Sequence, residues 1–184
     1  PEDSTTDPPA DSLTDPAAGV EATPVVDPLS DSLFLERCVM TSAFIKSTVV
    51  QRDPFERGER KVLNLGHTAG HAFEAISGYG DLRHGEAVAI GLVIAGHIAV
   101  GRGLWPPDRL EQTVHLLRAC GLPVVAPRFD PKVFLQSLHL DKKKRAGRLR
   151  YVLPLEVGTC EVVEDVTDRE ILRAAEATRE WKGA

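Results

Sequence analysis

Residues 85–101 would, as a helix, present apolar side chains on nearly every side. Such a helix has no face to offer water, so the segment predicts a buried central helix around which everything else must pack. It reads as too short for a membrane span: the apolar stretch covers only residues 87–100 and is interrupted by Gly91, Gly96 and His97, against the eighteen or so residues a span requires. The 184-residue chain is long enough for one domain with a real core.

Around this helix the pattern is mostly helical. Leu35, Val39, Ala43, Ile45 and Val49 recur at helical spacing over 32–51, after the cap residues Asp31 and Ser32 and before Asp53-Pro54. A second helix is expected over 62–77, closed by the turn signal Gly78-Tyr79-Gly80. Leu110, Val114 and Leu117 mark a fourth, opened by Pro106-Pro107 and stopped at Gly121, and residues 131–140 a fifth. The period then changes: residues 149–155 and 159–164, separated by Glu156-Val157-Gly158, read as a β-hairpin, and residues 168–181 as a closing helix. The expected class is mainly α with one small hairpin. No Gly-rich dinucleotide or phosphate loop is found, since Gly101 and Gly103 lack a third glycine and precede Pro106.

Composition separates the chain into two parts. Residues 1–32 hold eight acidic residues and six prolines with no Lys or Arg, a composition that cannot bury enough apolar surface to offset chain ordering. They are expected to be a disordered tail or linker, and 33–184 the folded domain. The formal charge of -5 argues against nucleic acid as a partner; without the tail, 22 basic residues face 19 acidic ones. Cys38, Cys120 and Cys160 form no CxxC pair, which suits reduced thiols in a cytoplasmic protein. The chain opens on Pro1 and its only methionine, Met40, lies inside a helical pattern, which points to further sequence upstream.

On one helix, Arg60, Asn64, His67, His71 and Glu74 would share a stripe, opposite Val62, Leu65, Ala69, Phe73 and Ile76; if the helix starts only near Asn64, Arg60 leaves it. A solvated face is the ordinary reading of such a stripe. Here it holds two histidines and the only asparagine of the chain, where solvated faces prefer Lys, Glu, Gln and Arg. Gly66 and Gly70 each forfeit about 1 kcal/mol of helix propensity, which suggests that backbone is closely approached there. Histidines four apart can direct their rings to one point and suit zinc or a related divalent metal. His84, at the mouth of the buried helix, could fold back over them; Glu74 and Glu86 are nearby carboxylates that read more simply as helix or cap residues. Lys142, Lys143 and Lys144 with Arg145 form a basic run in an expected loop, either solvated or holding a phosphate or carboxylate. Lys46, among apolar neighbours, is either a snorkelling surface lysine or a substrate contact. His97, His115 and His139 read as structural.

Taken in order, Lys46 with Val49-Val50 and Asp53-Pro54, the series Arg60 to Glu74, Gly78-Tyr79-Gly80, His84-Gly85-Glu86-Ala87-Val88, and Asp141-Lys142-Lys143 ahead of residues 149–154 resemble the 3-dehydroquinate synthases, over about residues 33–175. The resemblance implies the helical, metal-binding C-terminal domain of an enzyme whose N-terminal dinucleotide-binding domain has no counterpart in this sequence, with the active site between the two. It implies His67 and His84 as ligands of Zn2+ or Co2+, and Lys46, Arg60, Asn64, His71 and one of Lys142 and Lys143 as contacts to substrate phosphate, carboxylate or hydroxyls. The third ligand of the family, a glutamate, comes from a segment upstream of the first matched helix, where this chain has its acidic stretch.

For the complete enzyme the resemblance implies a phosphate-eliminating lyase of the shikimate pathway. A ring hydroxyl of 3-deoxy-D-arabino-heptulosonate 7-phosphate is oxidised by NAD, phosphate is eliminated from beside the resulting ketone, and the ketone is re-reduced. Ring opening and an aldol closure then give 3-dehydroquinate. The chain alone is expected to be inactive and to need a separate NAD-binding domain, with a homodimer left open. Two other readings stand beside this one: a non-catalytic metal- or partner-binding module, and a piece of a sibling sugar-phosphate cyclase.

Overall fold

A computed structural model describes residues 30–78, 82–144 and 149–180, with 141–144 described by their backbone alone. Most of the expected acidic tail, Tyr79 and Gly80 of the expected turn, Arg145 and Trp181 lie outside the described residues. Six helices and one hairpin follow in the order α1 Ser32–Arg52, α2 His67–Ile76, α3 His84–Gly101, α4 Pro107–Ala119, α5 Pro131–Lys144, β1 Tyr151–Glu156, β2 Thr159–Val163 and α6 Asp168–Glu180. A short 3-10 segment, Glu59–Asn64, lies between α1 and α2.

The central helix is α3. Ala87, Ala89, Ile90, Val93, Ile94, Ala95, Ile98 and Ala99 are all buried, and α2, α4, α6 and β1 pack on it. At 18 residues with a mean hydropathy of 1.4 it does reach the length and apolarity of a membrane span, which corrects the count made on the sequence, yet 56% of it is buried within the protein. α5 reaches the same core through aromatic contacts: Phe134 lies 4.7 Å from Phe73 of α2 between ring centroids, with Phe129 against both.

Glycine sets the distance between α2 and α3. A Cβ at Gly91 would fall on the carbonyl oxygen of Gly66, with Gly70 N at 3.0 Å. A Cβ at Gly70 would meet the Ala87 carbonyl oxygen at 3.0 Å. The two helices therefore touch main chain to main chain, the close approach that Gly66 and Gly70 suggested.

The ends follow local chemistry. The Asp31 carboxylate accepts from the Leu33 and Phe34 N–H groups at 2.9 and 3.1 Å and caps α1; Pro107 opens α4. Apart from its C-terminal end, α1 stands away from the core. Val49 is its only buried residue, while Leu33, Val39, Met40 and Phe44 are 66 to 71% exposed. Near the start of α6, Arg102 donates to Glu170 at 2.7 Å and to Asp165 at 2.8 Å, and the hydrogen bond from Arg102 pulls the Glu170 carboxyl down to about 2.

In the hairpin, Tyr151 pairs opposite Val163 and Leu153 opposite Glu161, with an irregularity between Pro154 and Glu156. Tyr151 is buried, and its hydroxyl has no hydrogen-bond partner among the described residues; burial also pushes its ionisation well up. A buried hydroxyl without a partner costs about 1 to 3 kcal/mol, so Tyr151→Phe is expected to raise stability by about 1 kcal/mol. An unfolding midpoint unchanged or lowered in denaturant titration would contradict this.

Candidate metal and anion site

The expected single helix over 62–77 is broken. Gly66 adopts φ +78°, a left-handed conformation that ends the 3-10 segment Glu59–Asn64 and restarts the chain as α2 at His67. Arg60 and Asn64 thus leave the helical stripe, and His67 and His71 remain on α2. On the opposite side Ala69 and Phe73 are buried, with Leu65 and Ile76 packed against the core.

The link between α1 and the 3-10 segment is folded by Asp53. Its carboxylate accepts from the N–H groups of Arg57, Gly58 and Arg60 at 3.0, 2.7 and 3.1 Å, and those bonds hold it below the usual carboxylate range. The loop presents Glu56, at φ +53°, to the Asn64 side chain, whose Nδ2 donates to Glu56 Oε1 at 2.7 Å. The Arg60 guanidinium donates to the Pro54 carbonyl at 2.8 Å. The result is a cleft of about 270 Å³ lined by Lys46, Glu56, Arg60, Leu63, Asn64 and His67. Four residues singled out in the sequence meet there. Glu56 is not among the residues the sequence singles out; the nearest signal is the Asp53-Pro54 pair just before it.

His67 joins this cleft to a cluster of three imidazoles. Ring centroids are 5.4 Å apart for His67 and His71, 5.2 Å for His67 and His84, and 5.7 Å for His71 and His84. His67 Nδ1 lies 3.1 Å from the Leu65 carbonyl, and His84 Nδ1 lies 3.2 and 3.4 Å from the two carboxylate oxygens of Glu74. Ligand atoms of His71, Glu74 and His84 all fall within 4.8 Å of one another. Imidazoles with a carboxylate nearby are donor types that zinc and cobalt take, so the residues present suit a divalent metal; the group within that distance holds His71 and Glu74 beside His84, and the expected ligand His67 is outside it.

The remaining candidates divide. Glu86 is a cap, its Oε2 accepting from the Arg83 N–H at 2.8 Å, whereas Glu74 faces His84 and so is more than a helix residue. Lys142 and Lys143 are not in a loop: α5 continues through Lys144, because lysine is a good helix former and nothing in the run stops the helix. Their side chains lie outside the described residues. His139 pairs with Asp168 at 3.1 Å, and burial lowers the pKa of His97.

The chain is a helical domain that gathers three imidazoles at the mouth of a buried helix, beside a cleft bearing Lys46 and Arg60. A family model described as 3-dehydroquinate synthase C-terminal matches residues 20–144, and the chain belongs to that family. It is similar to the 3-dehydroquinate synthase of Prochlorococcus marinus strain MIT 9313, 44% identical over 137 residues that cover 74% of this chain and 37% of the relative. That of Desulforamulus reducens is 41% identical over 143 residues, 77% of this chain and 40% of the relative. The chain thus spans about two fifths of such relatives.

Two solved structures share the fold. The 2-epi-5-epi-valiolone synthase ValA of Streptomyces hygroscopicus subsp. jinggangensis 5008, with NAD+ and Zn2+ bound, matches with a TM-score of 0.68 and 29% identity, over 80% of this chain and 40% of that one. A 2-deoxy-scyllo-inosose synthase complexed with carbaglucose-6-phosphate, NAD+ and Co2+ matches with a TM-score of 0.62 and 26% identity, over 80% and 41%.

Proposed function

We propose that the chain is the metal- and substrate-binding part of a 3-dehydroquinate synthase, a lyase that converts 3-deoxy-D-arabino-heptulosonate 7-phosphate to 3-dehydroquinate and phosphate in the cytoplasmic shikimate pathway. The observation that carries this is the cleft where Lys46, Arg60 and Asn64 meet His67, one edge of the imidazole cluster. In this reading the functional domain is 33–184, with 1–32 as its tail or linker.

The roles follow from charge and position. Lys46 and Arg60 take the anionic groups of the substrate; Arg60 is fixed by Pro54 and by the Asp53 loop, so its charge is already oriented. Asn64, held by Glu56, addresses a hydroxyl. His71 contacts substrate from α2, and one of Lys142 and Lys143 approaches from the end of α5. His67 and His84 would hold Zn2+ or Co2+, which would supply a Lewis acid for the hydroxyl to be oxidised. NAD would be held by a dinucleotide-binding domain and would supply the redox chemistry. The exposed apolar side chains of α1 support a further folded region or a second copy of the chain packing there.

The test is an assay of the purified chain with substrate, NAD+ and Zn2+, alone and with the separately expressed N-terminal region of a relative. No turnover alone and recovery on mixing are expected. Turnover by the chain alone within about a hundredfold of an ordinary 10 per second would overturn the need for that region. No recovery, with metal binding intact, would favour a non-catalytic module. Because one solved neighbour is a 2-deoxy-scyllo-inosose synthase complexed with carbaglucose-6-phosphate, phosphate release from a hexose phosphate in preference to the heptulosonate phosphate would move the chain to a sibling activity.

A further inference from the structure

Both rings assigned to the metal are tied at Nδ1. His67 Nδ1 is at hydrogen-bond distance from the Leu65 carbonyl, 3.1 Å away, and His84 Nδ1 faces both oxygens of Glu74, at 3.2 and 3.4 Å. Metal-bound histidines commonly donate the other ring N–H to a carbonyl or a carboxylate, which fixes the tautomer and turns the free nitrogen to the metal. The two rings have one partner of each kind. Glu74 is carried on α2, three residues after His71, while His84 opens α3. The main-chain contact between these helices therefore holds the carboxylate against the ring across the crossing.

We propose that Glu74 is the positioning residue of the metal centre: it accepts from His84 Nδ1–H, leaves Nε2 as the ligand atom, and adds a negative charge behind the ring that favours a bound cation. This rests on the assignment of His67 and His84 to the metal. Direct ligation by Glu74 together with His71 and His84, whose ligand atoms all lie within 4.8 Å of one another, is the competing arrangement that the experiment separates from this one.

The experiment titrates Zn2+ calorimetrically into the full 184-residue chain and its Glu74→Ala, Glu74→Gln, His71→Ala, His67→Ala and His84→Ala variants, with Co2+ absorption spectra as a second readout. Glu74→Ala is expected to weaken binding about 10- to 100-fold. Glu74→Gln should recover part of that loss, because its amide oxygen still accepts from Nδ1–H, and should leave the Co2+ band positions in place, because no ligand is lost. Wild-type affinity in Glu74→Ala would reduce the contact to a surface ion pair and overturn the proposal. Loss in Glu74→Gln as complete as in Glu74→Ala, with shifted Co2+ bands and equal loss in His71→Ala, would overturn it in favour of direct ligation. Unchanged binding in His67→Ala and His84→Ala would instead remove the metal assignment on which it rests, and the proposal with it.

Discussion

Gly91→Ala is expected to destabilise the chain by about 3 kcal/mol or more and to abolish metal binding in whatever remains folded. The added methyl would occupy the position of the Gly66 carbonyl oxygen, and Gly70 N is 3.0 Å away. Overpacking against side chains typically costs about 1 to 3 kcal/mol because rotamers give way. Here the obstacle is main chain, so relief means moving α2, and His67 and His71 would move with it relative to His84. Gly101→Ala, in the same helix with nothing within 4 Å of its added Cβ, is the control; it should be neutral or slightly stabilising through helix propensity. Denaturant titration of both variants, with Zn2+ affinity beside it, measures the effect. A Gly91→Ala protein with the wild-type midpoint and affinity would show that the two helices are not in contact as described.

His67→Ala and His84→Ala should each weaken Zn2+ binding by more than about 100-fold, the upper end of what is lost when only an orienting partner is removed. In the proposed reading each removes a donor nitrogen from one metal; their ring centroids lie 5.2 Å apart. His71→Ala should cost less, since in the proposed reading that ring serves the substrate. Equal losses in all three variants would bring His71 into the coordination sphere. Acidification should weaken binding in the wild-type chain as well, because a protonated imidazole has no lone pair to give.

Much of this site was legible in the residues alone. His67, His71 and His84 were grouped by helical spacing and by the position of His84 at the mouth of an apolar helix, and their rings do converge. The cap at Asp31, the opening of α4 at Pro107 and the hairpin were legible because each rests on local chemistry. The break at Gly66 was not. Leu65, Ala69, Phe73 and Ile76 keep helical spacing on both sides of it, and a glycine takes a left-handed conformation or a helical one with equal ease, so only the approach of α3 decides. Glu56 was invisible for a related reason. Its meeting with Asn64 depends on three hydrogen bonds to Asp53, and no periodicity records a loop folded around one carboxylate.

The glycines at the α2 and α3 crossing present no side chain to any ligand, yet they fix the frame on which the imidazoles stand. The spacing of the backbone positions that carry the donors is therefore set by the crossing and not by the side chains placed there. Exchange of His67 or His84 for another donor, such as cysteine or aspartate, should reprogram which cation is preferred while the scaffold stays as it is. Seen this way, the crossing is a socket whose contacts can be re-keyed separately from the fold that carries them.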